Sequence, residues 1–418
     1  MSRPRLHSVD LLRGLVMVVM ALDHTRDFVH SGAMAFRPED LTKTTAAIFM
    51  TRWVTHFCAP VFMLCAGVGA FLRLERSGGS KADLSRFLWT RGLWLIVLEV
   101  TVVRLGFFFN VKYDLVILLV FWALGLSMIA LAALIWLPFR ALLAVSLGMI
   151  LLHHLLDKVQ AASLGASAWL WRLLHEPGLV MAGPPTVVVG YPLIPWVGVM
   201  AAGFCLGHVY RMPAEVRAKF LVRLGLGLTA AFVILRAVNT YGDPSRWSSQ
   251  PTPLFTVLSF LNTTKYPPSL LFLLMTLGPA IALLGWIDLD RRGPLHPDWP
   301  AHSWGPIAPR RSRARARVGD SNPVLVFGRT PLFYFVLHLP LIHAVAIGMT
   351  WLRYGAAPFL FTPPPTLGTP RNVFPPDYGW SLGTTYLVWI AVVVALYPVC
   401  LWWMRLKQRR SAWWTSYL

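Results

Sequence analysis

About ten apolar stretches, each near twenty residues long, run through this chain, and a helix needs that length to cross the hydrocarbon core of a bilayer. They centre near Val18, Met63, Ile96, Trp122, Val145, Val199, Ala230, Met275, Phe335 and Val393. Lipid offers no water to backbone N–H and C=O groups, so each stretch must close its own hydrogen bonds. The predicted fold is all-α: a polytopic integral membrane helix bundle of about ten transmembrane helices. The composition agrees, with 56% hydrophobic and only 13% charged residues, against about a quarter charged in a soluble domain. The first apolar run is broken by charge and lacks a small-residue cleavage site, so no cleavable signal peptide is expected.

The net charge is +20, and its placement sets the orientation. With the N-terminus inside, an even number of spans puts these cations in the cytoplasm: Arg3 and Arg5; Arg73, Arg76, Lys81 and Arg86; Arg140; Arg211, Arg217 and Lys219; Arg291 through Arg317; and Arg405, Lys407, Arg409 and Arg410. Positive loops inside is the strongest topology rule, so both termini are expected to be cytoplasmic. The cations flank apolar spans and form no single interface, which excludes nucleic acid and leaves the lipid bilayer as the partner. Residues 1–418 read as one integral-membrane domain. The basic segment 288–321 is expected to be a disordered cytoplasmic loop against anionic headgroups. Cys58, Cys65, Cys205 and Cys400 read as small buried apolar residues within spans.

Charge inside a span is costly and usually marks a site or a buried pair. The first span is dense in it. It opens Ser8-Val9-Asp10-Leu11-Leu12-Arg13-Gly14 and closes Asp23-His24-Thr25-Arg26-Asp27. Arg13 and His24 lie on nearly one helix face, roughly 16 Å apart along the axis. Asp23 or Asp27 beside His24 would fix its tautomer and raise its basicity, which suits a general base. His56 lies inside the second span, near a kink expected at Pro60, and a hairpin would bring it close to His24. Arg236, Asn239, Asp243 and Trp247, with Asn262 and Lys265, form a polar and aromatic set of the kind that holds a sugar; Arg26 and His338 join it as acceptor-binding candidates. Arg329, in Gly328-Arg329-Thr330-Pro331, falls early in the ninth span on the cytoplasmic side. Glu99 is expected to pair with Arg104 or Arg91. No HExxH, Walker A, GxSxG or Rossmann fingerprint is present, and no metal is expected.

These stretches resemble the bacterial relatives of heparan-α-glucosaminide N-acetyltransferase, within the wider transmembrane acyltransferase group. The likeness rests on Ser8 to Gly14, on Ala59-Pro60-Val61-Phe62-Met63 through Ala66-Gly67, on Tyr191 to Trp196, on Asn262 to Pro268 and on Gly328 to Phe333. It implies transfer of an acyl group, usually acetyl, from cytoplasmic acyl-CoA to a sugar amine or hydroxyl on the far side. Acetyl-CoA would be a co-substrate held by Arg13 and Arg329. The lysosomal enzyme is similar but has Asn in place of His24 and carries its active-site His farther into the first lumenal loop, where this chain offers His30. His24, His30 and His56 therefore all stand as candidate bases. The resemblance also implies a bacterial cytoplasmic membrane as the location. A transporter or flippase of a small polar solute could use the same charges as a relay, but no repeat of the kind transporters use is present.

Overall fold

The computed structural model describes residues 7–289, 322–362 and 370–409. The segment from Arg291 to Arg317, with Arg3, Arg5 and Arg410, lies outside the described residues. Asp288 does not belong to a loop: it sits in a helix, and its carboxylate accepts from Arg217 at 2.7 Å.

The helices are α1 (His7–Val29), α2 (Ala46–Thr55), α3 (Cys58–Arg76), α4 (Lys81–Leu98), α5 (Arg104–Phe108), α6 (Val120–Leu134), α7 (Phe139–Leu151), α8 (Ala168–Leu174), α9 (Leu193–Gly207), α10 (Ala214–Val238), α11 (Pro253–Leu261), α12 (Leu270–Leu289), α13 (Pro323–Arg329), α14 (Pro331–Tyr354) and α15 (Leu382–Arg409). Each of the ten predicted centres falls in one of them. Six segments are long and apolar enough to cross a membrane: 46–76, 193–211, 214–238, 270–289, 331–354 and 382–409. Helices α6 and α7 are apolar but shorter. Leu226, Ile234, Leu387 and Val394 stand more than half exposed on α10 and α15, an apolar surface that suits lipid.

One feature departs from an all-α fold. Strands β1 (Leu115–Leu118), β2 (Gly178–Met181) and β3 (Thr186–Val189) make a small sheet in the order β1-β3-β2. The first pair is parallel and the second antiparallel. The connections after α5 and α8 supply these strands, and pairing satisfies backbone groups that loops would leave open.

Helix α1 is the centre of the bundle. It packs against α13, α14, α15, α3, α2 and α12, so its charges lie among protein helices. Gly14 on α1 and Gly328 on α13 let the two backbones touch. A Cβ at Gly328 would collide with the Asp10 carbonyl, and one at Gly14 with the Val324 carbonyl. Small residues at such crossings permit close approach. Gly328→Val is expected to destabilise by about 1–3 kcal/mol, the usual overpacking cost. Thermal unfolding in detergent measures it, and an unchanged midpoint would show that the crossing is not tight.

Two further local features position side chains. Pro60 has no N–H for the His56 carbonyl four residues earlier, so the chain breaks between α2 and α3 at His56 and Phe57. A π-helical turn, Glu99–Val103, joins α4 to α5. Glu99 does not pair with Arg104 there. Its Oε2 accepts from Phe121 N at 2.7 Å and Trp122 N at 3.1 Å, capping the start of α6. Arg104 instead donates to the carbonyls of Leu115 and Asn110.

Candidate functional site

The charged end of α1 meets the break between α2 and α3. Arg52 lies four residues before His56, one helical turn away, and its Nη1 donates to both Asp23 oxygens at 2.8 and 2.6 Å. Its Nε donates to Glu39 Oε1 at 2.8 Å. Glu39 Oε1 also lies 3.5 Å from His56 Nε2. Burial would raise the Glu39 carboxyl, but Arg52 and His56 more than offset it and hold it well below the usual carboxylate range. Arg26 Nη2 bridges Asp27 at 2.8 Å and Asp23 at 3.1 Å. Two arginines and three carboxylates thus form one continuous network. Glu39 and Arg52 were not singled out from the sequence. The i,i+4 spacing of Arg52 and His56 was the available signal.

His24 stands at the edge of this network. Asp23 is committed to Arg52 and Arg26, so Asp27 is the carboxylate nearest the imidazole, with Oδ2 3.9 Å from Nδ1. That nitrogen is buried without a hydrogen-bond partner, while the side chain keeps 18% exposure. The accessible part of the ring therefore lies away from Nδ1. The His338 ring centroid is 5.2 Å away and that of Phe107 5.5 Å. His338 is fully buried; its Nδ1 bonds to the Phe335 carbonyl at 2.7 Å and its Nε2 has no partner.

Lys265 completes the cluster. It is buried, lies within electrostatic reach of Asp23, His24 and His56, and its ammonium sits 5.2 Å from the Tyr266 ring. Among the described residues that ammonium makes no hydrogen bond or ion pair. Asn262 Nδ2 donates to the Glu39 carbonyl at 2.9 Å, tying the Lys265 segment to the first loop.

The other candidates are placed apart from His24. His30 is buried where the backbone after α1 bridges to Trp380; burial, with Arg26 nearby, pushes its imidazole below the ordinary value. Arg236 spends its guanidinium on the carbonyls of Phe260, Ser245, Ser259 and Asn262. Asn239 pairs with the Trp247 backbone through both amide atoms, and Trp247 Nε1 donates to the Arg236 carbonyl. Asp243 accepts from Ser245, Thr264 and Ser269. Those four residues hold the loop's own backbone.

At the other end of α1, Arg13 and Arg329 flank one carboxylate. Asp10 lies 3.7 Å from Arg13 Nη1 and 3.9 Å from Arg329 Nε. Arg13 also donates to the Cys65 carbonyl at 2.8 Å and keeps 23% exposure. Among the described residues two arginines thus flank one buried acid, and arginine suits phosphate recognition.

A comparison with protein families matches residues 5–235 to the model of heparan-alpha-glucosaminide N-acetyltransferase, catalytic. No curated protein matches the chain. The match takes in the whole of α1, the α2–α3 break and the helices up to most of α10. With more than half of its length so matched and several helices able to cross a membrane, the chain belongs to the heparan-alpha-glucosaminide N-acetyltransferase family of membrane acyltransferases.

Proposed function

We propose that this protein moves an acetyl or other short acyl group from cytoplasmic acyl-CoA to an amine or hydroxyl of a sugar on the opposite face of a bacterial cytoplasmic membrane. One observation carries the reading: a single central helix has an arginine pair, Arg13 and the neighbouring Arg329, at one end and a partly accessible imidazole at the other. Arg13 and Arg329 bind the CoA phosphates. The pantetheine arm then follows α1 for the roughly 16 Å that separate Arg13 from His24.

His24 acts as general base. As the acceptor nitrogen or oxygen attacks the thioester carbonyl, its proton passes to the accessible ring nitrogen. The tetrahedral intermediate collapses, the C–S bond breaks, and the departing thiolate takes the proton back from the imidazolium, which restores the neutral base. Asp27 stabilises the imidazolium; its 3.9 Å distance shortens as the charge forms. His338 lies against the ring to hold its orientation. Lys265 and the inward N–H groups of Arg26 supply donors for acceptor oxygens or for the oxyanion. Arg236, Asn239, Asp243 and Trp247 build the wall that presents Asn262 and Lys265.

The donor half is tested by Arg13→Ala. Acyl-CoA binding is expected to weaken by about 1.5–3 kcal/mol, the range for a charge-assisted hydrogen bond. Calorimetry on detergent-purified protein measures it. Equal affinity in variant and parent removes Arg13 from the donor site.

A further inference from the structure

A second cluster of imidazoles lies where α7 ends, outside the site just described. A 3-10 turn, His153–Leu156, follows α7, and Asp157 comes next. His175 directly follows α8. His154 Nδ1 is 2.7 Å from Asp157 Oδ2, and His175 Nε2 is 3.0 Å from Asp157 Oδ1. The His153 ring centroid lies 4.0 Å from that of His154, the planes tilted by 38°, and 5.7 Å edgewise from that of His175. One donor atom each from His153, His154 and Asp157 falls within 4.8 Å of the others.

The proton positions follow from the backbone. Leu270 N donates to His154 Nε2 at 3.0 Å, so that nitrogen holds a lone pair. The His154 proton is therefore on Nδ1, directed at Asp157 Oδ2. This bond orients the carboxylate and presents Oδ1 to His175. His153 is 2% exposed and His175 3%. Neither His153 nitrogen makes a well-formed hydrogen bond, nor does His175 Nδ1. The Pro268 carbonyl faces the His153 ring without good geometry. Buried polar atoms in this state call for a missing partner, an ion or a water.

We propose that His153 and Asp157 bind one divalent transition-metal ion, with His175 turning from its bond to Asp157 Oδ1 to become the third ligand and His154 orienting the carboxylate. Two imidazole nitrogens and one carboxylate oxygen suit zinc, with an open position for water. His175 ligates as the neutral tautomer with its proton on Nδ1, so both imidazoles ligate neutral and no proton is lost. A metal on one His153 nitrogen leaves the other to donate to the Pro268 carbonyl, the usual support for a ligating histidine. The familiar sequence signatures miss this set because its donors come from two segments and the geometry from a third. The consequence is mechanical. Pro268 and Leu270 follow Lys265 within a few residues, so the ion would fix the segment that carries Lys265.

The test uses the full chain, untagged, purified in detergent and stripped with a chelator. Zinc is added, and bound metal is counted after dialysis; Co²⁺ serves as a spectroscopic probe. The expected result is one zinc per chain, a raised unfolding midpoint, and visible Co²⁺ absorption of a low-coordinate N/O site. Asp157→Ala and His175→Gln should each weaken zinc binding by at least 100-fold, while His208→Ala, remote from the cluster, retains it. Sub-stoichiometric zinc in the parent overturns the proposal, and so does binding that survives both ligand substitutions. Because the parent's own stoichiometry and spectrum are read, a variant that fails to fold does not rescue the idea.

Discussion

His24→Ala is expected to lose roughly 10²- to 10⁴-fold of acyl transfer while binding acyl-CoA as the parent does, since a positioned general base contributes about that much. The geometry favours His24 over its rivals. Its ring keeps 18% exposure, while His56 is 2% exposed against Glu39 and His30 is 4% exposed at the bridge to Trp380. An imidazole this deeply buried is poorly placed to meet an acceptor. The assay follows labelled acetyl from acetyl-CoA to a panel of amino sugars and glycans in proteoliposomes, with His30→Ala and His56→Ala in parallel. Full activity in His24→Ala, with loss in either of the others, transfers the role to that residue. A parent protein that carries solute across the bilayer and never consumes acetyl-CoA overturns the acyltransferase reading of this chain.

Arg52→Met is expected to cost about 3 kcal/mol of stability, the low end for removing one partner from a buried ion pair. The low end applies because Glu39 keeps 28% exposure and Arg26 still contacts Asp23. Removal leaves Glu39 without its arginine and Asp23 with Arg26 alone, in a site that Arg52 had helped to neutralise. The double variant Asp23→Asn with Arg52→Met should recover part of the loss, because it removes a stranded charge as well as its partner. Thermal unfolding in one detergent, across parent, singles and double, gives the coupling. Strict additivity would mean that the 2.6 Å contact contributes nothing.

Much of the site was legible because its residues are close in sequence. Asp23, His24, Arg26 and Asp27 share one helix end, so their mutual spacing follows from 3.6 residues per turn. The same holds for Arg13 and His24. Glu39 was not legible: it sits in a connection, and nothing local aims it at Arg52. Lys265 was noticed as part of a polar group, but its burial beside α1 depends on α12 and on the bond from Asn262 to the Glu39 carbonyl. Arg236 read as part of a sugar-binding set because Asn, Asp and Trp occur together beside it. It is instead turned inward onto four carbonyls, as loop backbone returning into a bundle requires.

The sequence by itself determined the helical membrane class, the helical character of each predicted centre and the density of charge on α1. Those properties depend on apolar length and helical period, which are local. Only the tertiary structure decided which charge meets which. Asp23 pairs with Arg52, Glu99 caps α6, His24 lies against His338 from a helix over three hundred residues away, and β1 finds β3. Each of these contacts depends on how helices cross and where connections return, and no local period encodes that.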